Sequence, residues 1–199
     1  MQSENLLLIS KRILNSAGII SFGKVIQLIV LLLAAKEMGL KEFGIFSFAL
    51  AIAQFSTFIF IPGGQQGVTK VVTRFFTLKR YQELISVIVF LIFIFLFVTL
   101  LVILSSQLIT IFRFEEMIYL SDLLLLLIPI TLWTIMREGI SRGFSYVAIS
   151  QAPHELISPI LVLCTLIFNN ISDITAFNLA IIWFVSYSFV EIVLIIFFV

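Results

Sequence analysis

The chain has 199 residues, with 12 Lys and Arg against 11 Asp and Glu for a formal net charge of +1. It is 61% hydrophobic, with a mean hydropathy of +1.23. Such a composition leaves too little polar surface to cover a soluble domain, and no nucleic-acid partner is expected. One cysteine, Cys164, and one histidine, His154, cannot build a disulfide framework or a metal cluster. No Walker motif, G-x-G-x-x-G or nucleophile constellation is present, so neither ATP hydrolysis nor covalent catalysis has residues to run it. The chain is read as non-enzymatic and without a cofactor.

Six apolar runs follow one another: Ala17–Ala35, Phe43–Pro62, Leu84–Leu104, Met117–Met136, Ser150–Phe168 and Ala176–Val199. Each comes close to the roughly 20 residues a helix needs to cross the hydrocarbon core. Backbone groups in lipid must be satisfied within the segment, so runs of this length are helices. The expected fold is all-α, a polytopic membrane protein of six transmembrane helices. Residues 1–16 are polar to mixed and the first run is too long for a signal-peptide core, so the first helix is expected to act as an uncleaved insertion signal.

Charge sets the orientation. With the N-terminus inside, Lys11, Arg12, Lys70, Arg74, Lys79, Arg80, Arg137 and Arg142 are cytoplasmic, and only Lys36, Lys41 and Arg113 are outside. The positive-inside rule therefore favours N-in, with both termini cytoplasmic. Glu37, Glu42, Glu115, Glu116 and Asp173 all fall in outer loops.

Lys36–Glu42 reads as a tight outer turn in which Gly39 caps the first helix. The inner connection 63–83 opens Gly63-Gly64-Gln65-Gln66-Gly67, and from Val68 it reads as an amphipathic helix. Val68, Val71, Val72, Phe75 and Phe76 lie on one face, with Lys70, Arg74 and Arg80 towards the other. Basic stretches of this kind commonly lie in the headgroup region. The segments 105–116 and 137–149 are expected to be outer and inner connections. Pro129 and Pro159 fall inside helices four and five, either as fixed kinks or as hinges beside a cavity.

Lys24 is the most telling side chain, because it lies seven residues into the first run, about 10 Å by helical rise. A cation there is costly. Ser16, Lys24 and Gln27 form a polar stripe. Two readings stand: a lysine that snorkels to the headgroups, or a fixed charge facing a water-filled cavity and an anionic substrate group. Gln54, Ser56 and Thr57 interrupt the second helix, as cavity lining or as helix–helix glue. Glu191 lies deep in the sixth run with no cation nearby in sequence. It is either a coupling group or a carboxylate buried against a second half of the transporter. The basic residues Lys70 and Arg74, one turn apart, either set topology and bind membrane lipids or receive an anionic lipid, with Arg137 and Arg142 closing the same mouth. His154 reads as an interfacial residue, with proton coupling as the sharper alternative.

Three stretches together resemble the multidrug/oligosaccharidyl-lipid/polysaccharide exporter superfamily. Ala35-Lys-Glu-Met-Gly-Leu-Lys-Glu-Phe-Gly44, after a helix with an early intramembrane cation, resembles its first outer loop. Gly64-Gln-Gln-Gly67-Val-Thr-Lys70-Val-Val-Thr-Arg74 is similar to the Gly-x-x-x-Gly-Val-Thr-Lys stretch of O-antigen and enterobacterial-common-antigen lipid flippases. Met136-Arg-Glu-Gly-Ile-Ser-Arg-Gly143 sits where those flippases carry a basic, glycine-containing loop.

The resemblance implies the N-terminal lobe of a two-lobe exporter in a bacterial inner membrane, which flips undecaprenyl-pyrophosphate-linked oligosaccharides by alternating access. On it, Lys24, Gln27, Gln54, Lys70, Arg74, Arg137 and Arg142 are candidate substrate contacts and Glu191 a candidate coupling group. The expected partners are lipid-linked oligosaccharide, membrane lipids, a missing second lobe or a homodimer, and polysaccharide assembly proteins. The alternatives are a multidrug exporter lobe, a membrane-embedded transferase built on His154-Glu155, and a nonfunctional fragment or accessory subunit.

Overall fold

The computed structural model describes residues 17–61, 63–112, 117–145, 150–168 and 174–194 in full, and the helical backbone alone at 2–16, 115–116, 147–149 and 195–198. Every element described is helical: α1 (Gln2–Phe60), α2 (Gly64–Thr77), α3 (Tyr81–Ile111), α4 (Glu115–Gly143), α5 (Val147–Ala152), a π-turn (Pro153–Ile157), α6 (Ser158–Phe168) and α7 (Ala176–Phe198). Five stretches are long and apolar enough to cross a membrane: Ala17–Thr77, Tyr81–Ile111, Met117–Gly143, Ser150–Phe168 and Ala176–Leu194. The side chains of Lys11, Arg12, Ser16, Arg113, Glu115, Glu116 and Asp173, used above for the charge balance and the polar stripe, lie outside the described residues.

The first two apolar runs are carried by the single element α1, and the turn expected over Lys36–Glu42 contracts to one residue. Gly39 adopts φ 76°, ψ 166°, outside the helical region and reachable in practice only without a Cβ. A second break follows at Gly63 and Gly64, both at positive φ, where the Gly64 N–H donates to the Ile61 carbonyl at 2.7 Å.

Two expected connections are helical instead. Helix α3 extends past its apolar run to Ile111, and its late hydroxyls bond back to the helix, Ser105 Oγ to the Val102 carbonyl at 2.8 Å. Helix α4 continues to Gly143, so Arg137, Glu138 and Arg142 project from a helix rather than a loop.

Helix α4 is the centre of the bundle and touches α1, α2, α3 and α7. Leu123, Leu127, Leu132 and Met136 are fully enclosed on it. Helix α3 is peripheral. Leu84, Leu91 and Val98, a stripe at heptad spacing, face inward, while Phe90, Phe93 and Phe97 point away from the bundle. That outward aromatic surface suits lipid rather than water.

The α2–α4 contact explains why two glycines stand inside α4 despite a cost of about 1 kcal/mol each relative to alanine. A Cβ at Gly139 would lie 2.7 Å from the Val68 Cβ, and one at Gly143 would overlap Val72. The helices close on these glycines in matched register. Thr69 Oγ1 donates to the Gly139 carbonyl and Thr73 Oγ1 to the Gly143 carbonyl, both at 3.2 Å. Glu138 also accepts from the Gln65 amide. Positions advance together along both helices, so α2 runs parallel to the end of α4. The amphipathic helix expected from Val68 begins at Gly64 and packs on α4: Val68 and Val72 are spent on that contact, whereas Val71 and Phe76 are exposed.

Candidate functional site

The fifth apolar run is broken just before Pro159. A proline there removes the N–H that the Glu155 carbonyl would receive in a regular helix. The chain widens to a π-turn, with the Ser158 N–H and hydroxyl both donating to the Pro153 carbonyl, the hydroxyl at 2.9 Å. The turn carries His154 and Glu155 into the bundle against α1. Gly23 makes that approach possible, since a Cβ there would overlap the Glu155 carbonyl.

A polar cluster forms where α1, α2, α4 and the π-turn meet. Lys24 Nζ lies 2.9 Å from Glu155 Oε2 and donates to Gln27 Oε1 at 3.2 Å. Glu155 Oε1 is 3.8 Å from His154 Nδ1, which in turn is 3.3 Å from Glu138 Oε1. Glu138 Oε2 is 3.5 Å from an Arg142 terminal nitrogen. The Glu138 side chain is 6% exposed and that of Glu155 14%, whereas Lys24 keeps 54% of its surface open.

The depth of this cluster follows from α3. The rings of Phe95 and Trp133 meet at a centroid distance of 5.4 Å, which levels the antiparallel helices α3 and α4 at that point. Glu138 is five residues beyond Trp133, about 7.5 Å along the axis. That is level with the early part of the apolar Leu84–Leu104 run, not with a loop.

Above the cluster opens a small cleft, lined by Lys24, Gln27, Gln54, Thr131, Thr134 and His154, with Trp183 and Tyr187 as its buried floor. Trp183 and Tyr187 are stacked at 5.5 Å, and the Tyr187 ring meets His154 edge-on at 5.2 Å. Thus Lys24, Gln27 and Gln54 share one cleft. Thr57 and Ser56 do not: their hydroxyls bond back into α1, to the Gln54 and Ile52 carbonyls. Lys70 and Arg74 stand exposed on α2 and do not line it.

Arg137 and Glu191 require correction. Arg137 does not close a mouth, and Glu191 has a cation within this chain. The Arg137 Nε donates to Glu191 Oε1 at 2.7 Å, and both terminal guanidinium nitrogens donate to the Ser150 carbonyl at 3.3 Å. Trp133 Nε1 donates to the other Glu191 oxygen at 3.3 Å. Glu191 is therefore buried against α4, with no second half of the molecule needed to satisfy it. Fifty-four residues of chain separate the pair, which is why inspection of neighbouring residues could not find it.

Among the sequence candidates Glu138 is missing, and Glu155 appears only beside His154, as the basis of a transferase. The signal was present for Glu155: Pro153 and Pro159 bracket His154-Glu155 inside an apolar run, and proline pairs mark irregular backbone where polar groups can be held. Glu138 was hidden by the reading of its segment as a loop.

Fold and cleft together define a polytopic helical bundle of membrane-spanning composition, with a charged cluster within its apolar length. No protein-family model, curated protein or solved structure matches the chain.

Proposed function

We propose that this chain is a translocator lobe of a bacterial inner membrane that handles an amphiphile with an anionic head, in the manner of the lipid-linked oligosaccharide flippases its motifs resemble. One observation carries the reading: the Lys24 side chain stays half open at the rim of a polar cleft. Glu155, largely enclosed, anchors it from below, and Gln27 and Gln54 stand beside it to hydrogen-bond phosphate or sugar hydroxyls. In this proposal α1 counts as two spans divided at Gly39, giving six in all, N-in by the distribution of Lys and Arg. Capture of a pyrophosphate by Lys24 and rocking of two lobes involve no covalent step.

The experiment is complementation of a strain lacking its O-antigen flippase, with the protein expressed and inserted alone or with a matching C-terminal lobe. Restored surface polysaccharide that is lost in Lys24→Ala and kept in Lys24→Arg is the expected result. No restoration in either format overturns the assignment.

A second reading, a multidrug exporter lobe, is favoured by the buried carboxylates Glu138 and Glu155 close to the cleft. It predicts efflux of a cationic dye that fails in Glu155→Gln and survives Lys24→Ala.

A further inference from the structure

The polar cluster contains one histidine, the side-chain type that gains or loses a proton closest to neutral pH. Lys24 is matched by Glu155, and Arg142 by Glu138, so the four fixed charges cancel. His154 stands between the two carboxylates as the only histidine of the chain. Its Nδ1 and Glu138 Oε1 are buried, face each other at 3.3 Å, and neither makes a hydrogen bond of ordinary geometry. A hydrogen on Nδ1, whether of the neutral Nδ1–H tautomer or of the imidazolium, would satisfy both atoms at once, because it donates to the carboxylate. While Lys24 stands on Glu155 the neutral Nδ1–H tautomer meets that requirement, and the imidazolium is the better form once a flanking carboxylate lacks its cation. Every element packed here contributes to that balance: Lys24 from α1, Gln65 from α2, Glu138 and Arg142 from α4, Glu155 from the π-turn and Tyr187 from α7, with the nearby Arg137 already held by Glu191.

We propose that an anion binding at Lys24 is coupled to uptake of one proton by His154, so that the cluster exchanges a lysine counter-charge for a protonated histidine. The coupling runs through Glu155. When the Lys24 ammonium turns to a phosphate oxygen, Glu155 loses the cation at 2.9 Å and the cluster is left one positive charge short. A proton taken from water onto the His154 imidazole restores neutrality, its charge shared between Glu155 and Glu138. When the anion leaves, Lys24 returns to Glu155 and the proton departs. The substrate thus enters the cleft together with a proton, and a pH difference across the membrane biases which side it leaves from. The coupling group is His154, not Glu191, whose charge is already matched by Arg137. This inference rests on the anionic-substrate reading for its ligand, but the Lys24–His154 coupling itself does not need one.

The single histidine makes the test direct. Protein labelled with ring-¹⁵N histidine, in nanodiscs, gives one imidazole spectrum, whose nitrogen shifts report the protonated fraction at a fixed, near-neutral pH. In Lys24→Gln that fraction rises at least twofold over wild type, in Lys24→Arg it is unchanged, and in Glu155→Gln it falls. Geranyl pyrophosphate added to wild type raises it in the same direction as Lys24→Gln, and has no such effect in Glu155→Gln. An imidazole that ignores Lys24→Gln, with Lys24→Arg and wild type giving matching spectra as a folding control, overturns the coupling. A response to Lys24→Gln with none to saturating geranyl pyrophosphate leaves the coupling in place and overturns the anionic-substrate reading.

Discussion

Gly23 of α1 lies against the backbone carbonyl of Glu155, so close that a Cβ at position 23 would overlap the carbonyl carbon and oxygen. The contact sets the π-turn on α1 and delivers the Glu155 carboxylate to Lys24, one residue further along the same helix. Because the obstacle is backbone, it cannot rotate aside. Gly23→Ala is therefore expected to push α1 from the π-turn, with a cost of about 1–3 kcal/mol typical of overpacking. Thermal unfolding in detergent checks the loss of stability. A Cys pair at positions 24 and 155, in a Cys164→Ser background, checks the geometry by losing its disulfide when Ala is added at 23. Unchanged crosslinking would show that the close approach does not hold in the membrane.

The Arg137–Glu191 pair joins α4 to α7 with both side chains largely enclosed, at 15% and 7% exposure. Removing one partner leaves the other charge buried and unmatched, a loss of about 3–5 kcal/mol for such pairs. Glu191→Leu and Arg137→Leu are each expected to lower the midpoint of unfolding strongly, and the double variant less than the sum. Additive losses would mean that the two side chains do not act as a pair.

Gly139 admits α2 only as long as it has no side chain. Gly139→Ala is expected to destabilise by about 1–3 kcal/mol, because its methyl meets Val68. Val68→Ala in the same chain removes the Cγ1 at 2.9 Å but keeps the Cβ at 2.7 Å, and recovers part of the loss. A double-mutant cycle with no coupling between positions 139 and 68 would place α2 elsewhere.

At the far end of the bundle, Glu42 holds the start of α7. Its Oε2 accepts the Ala176 N–H at 3.0 Å and the Tyr119 hydroxyl at 2.7 Å, and that hydroxyl accepts the Phe177 N–H at 3.2 Å. A carboxylate at a helix N-terminus satisfies orphan donors and the helix dipole together. Glu42→Ala is expected to cost more than Tyr119→Phe, each on the order of 1 kcal/mol, and the double variant little more than Glu42→Ala. Independent, additive losses in a double-mutant cycle would contradict a shared network.

The proposed topology is checked with an impermeant maleimide in the Cys164→Ser background. Lys36→Cys should label in intact cells, and Thr77→Cys only after the membrane is opened. The reverse pattern would place the N-terminus outside.

Most of the helices were legible because the hydrophobic signal is strong and local: Leu84–Leu104 is apolar but for Ser86 and Thr99, and no other structure satisfies such a backbone in lipid. Their ends were less so. Arg137, Glu138 and Arg142 read as a loop because charge and glycine usually signal one, yet α2 covers those glycines and the helix continues. The cleft was legible in part. Lys24, Gln27 and Gln54 stand out as polar groups in apolar runs, whereas Glu155 and Glu138 became visible only when the π-turn brought them together.

By itself, then, the sequence determined what is written in short-range pattern: an all-helical chain of membrane-spanning composition, with breaks at glycine and a misplaced cation in its first run. Apart from the local pairs Arg142–Glu138 and Arg80–Glu83, which charges meet was decided by tertiary structure. Glu155 reaches Lys24 across 131 positions, and Glu191 reaches Arg137 across 54. Pairing at that separation depends on how helices pack, and packing here turns on side chains that are absent, at Gly23, Gly139 and Gly143.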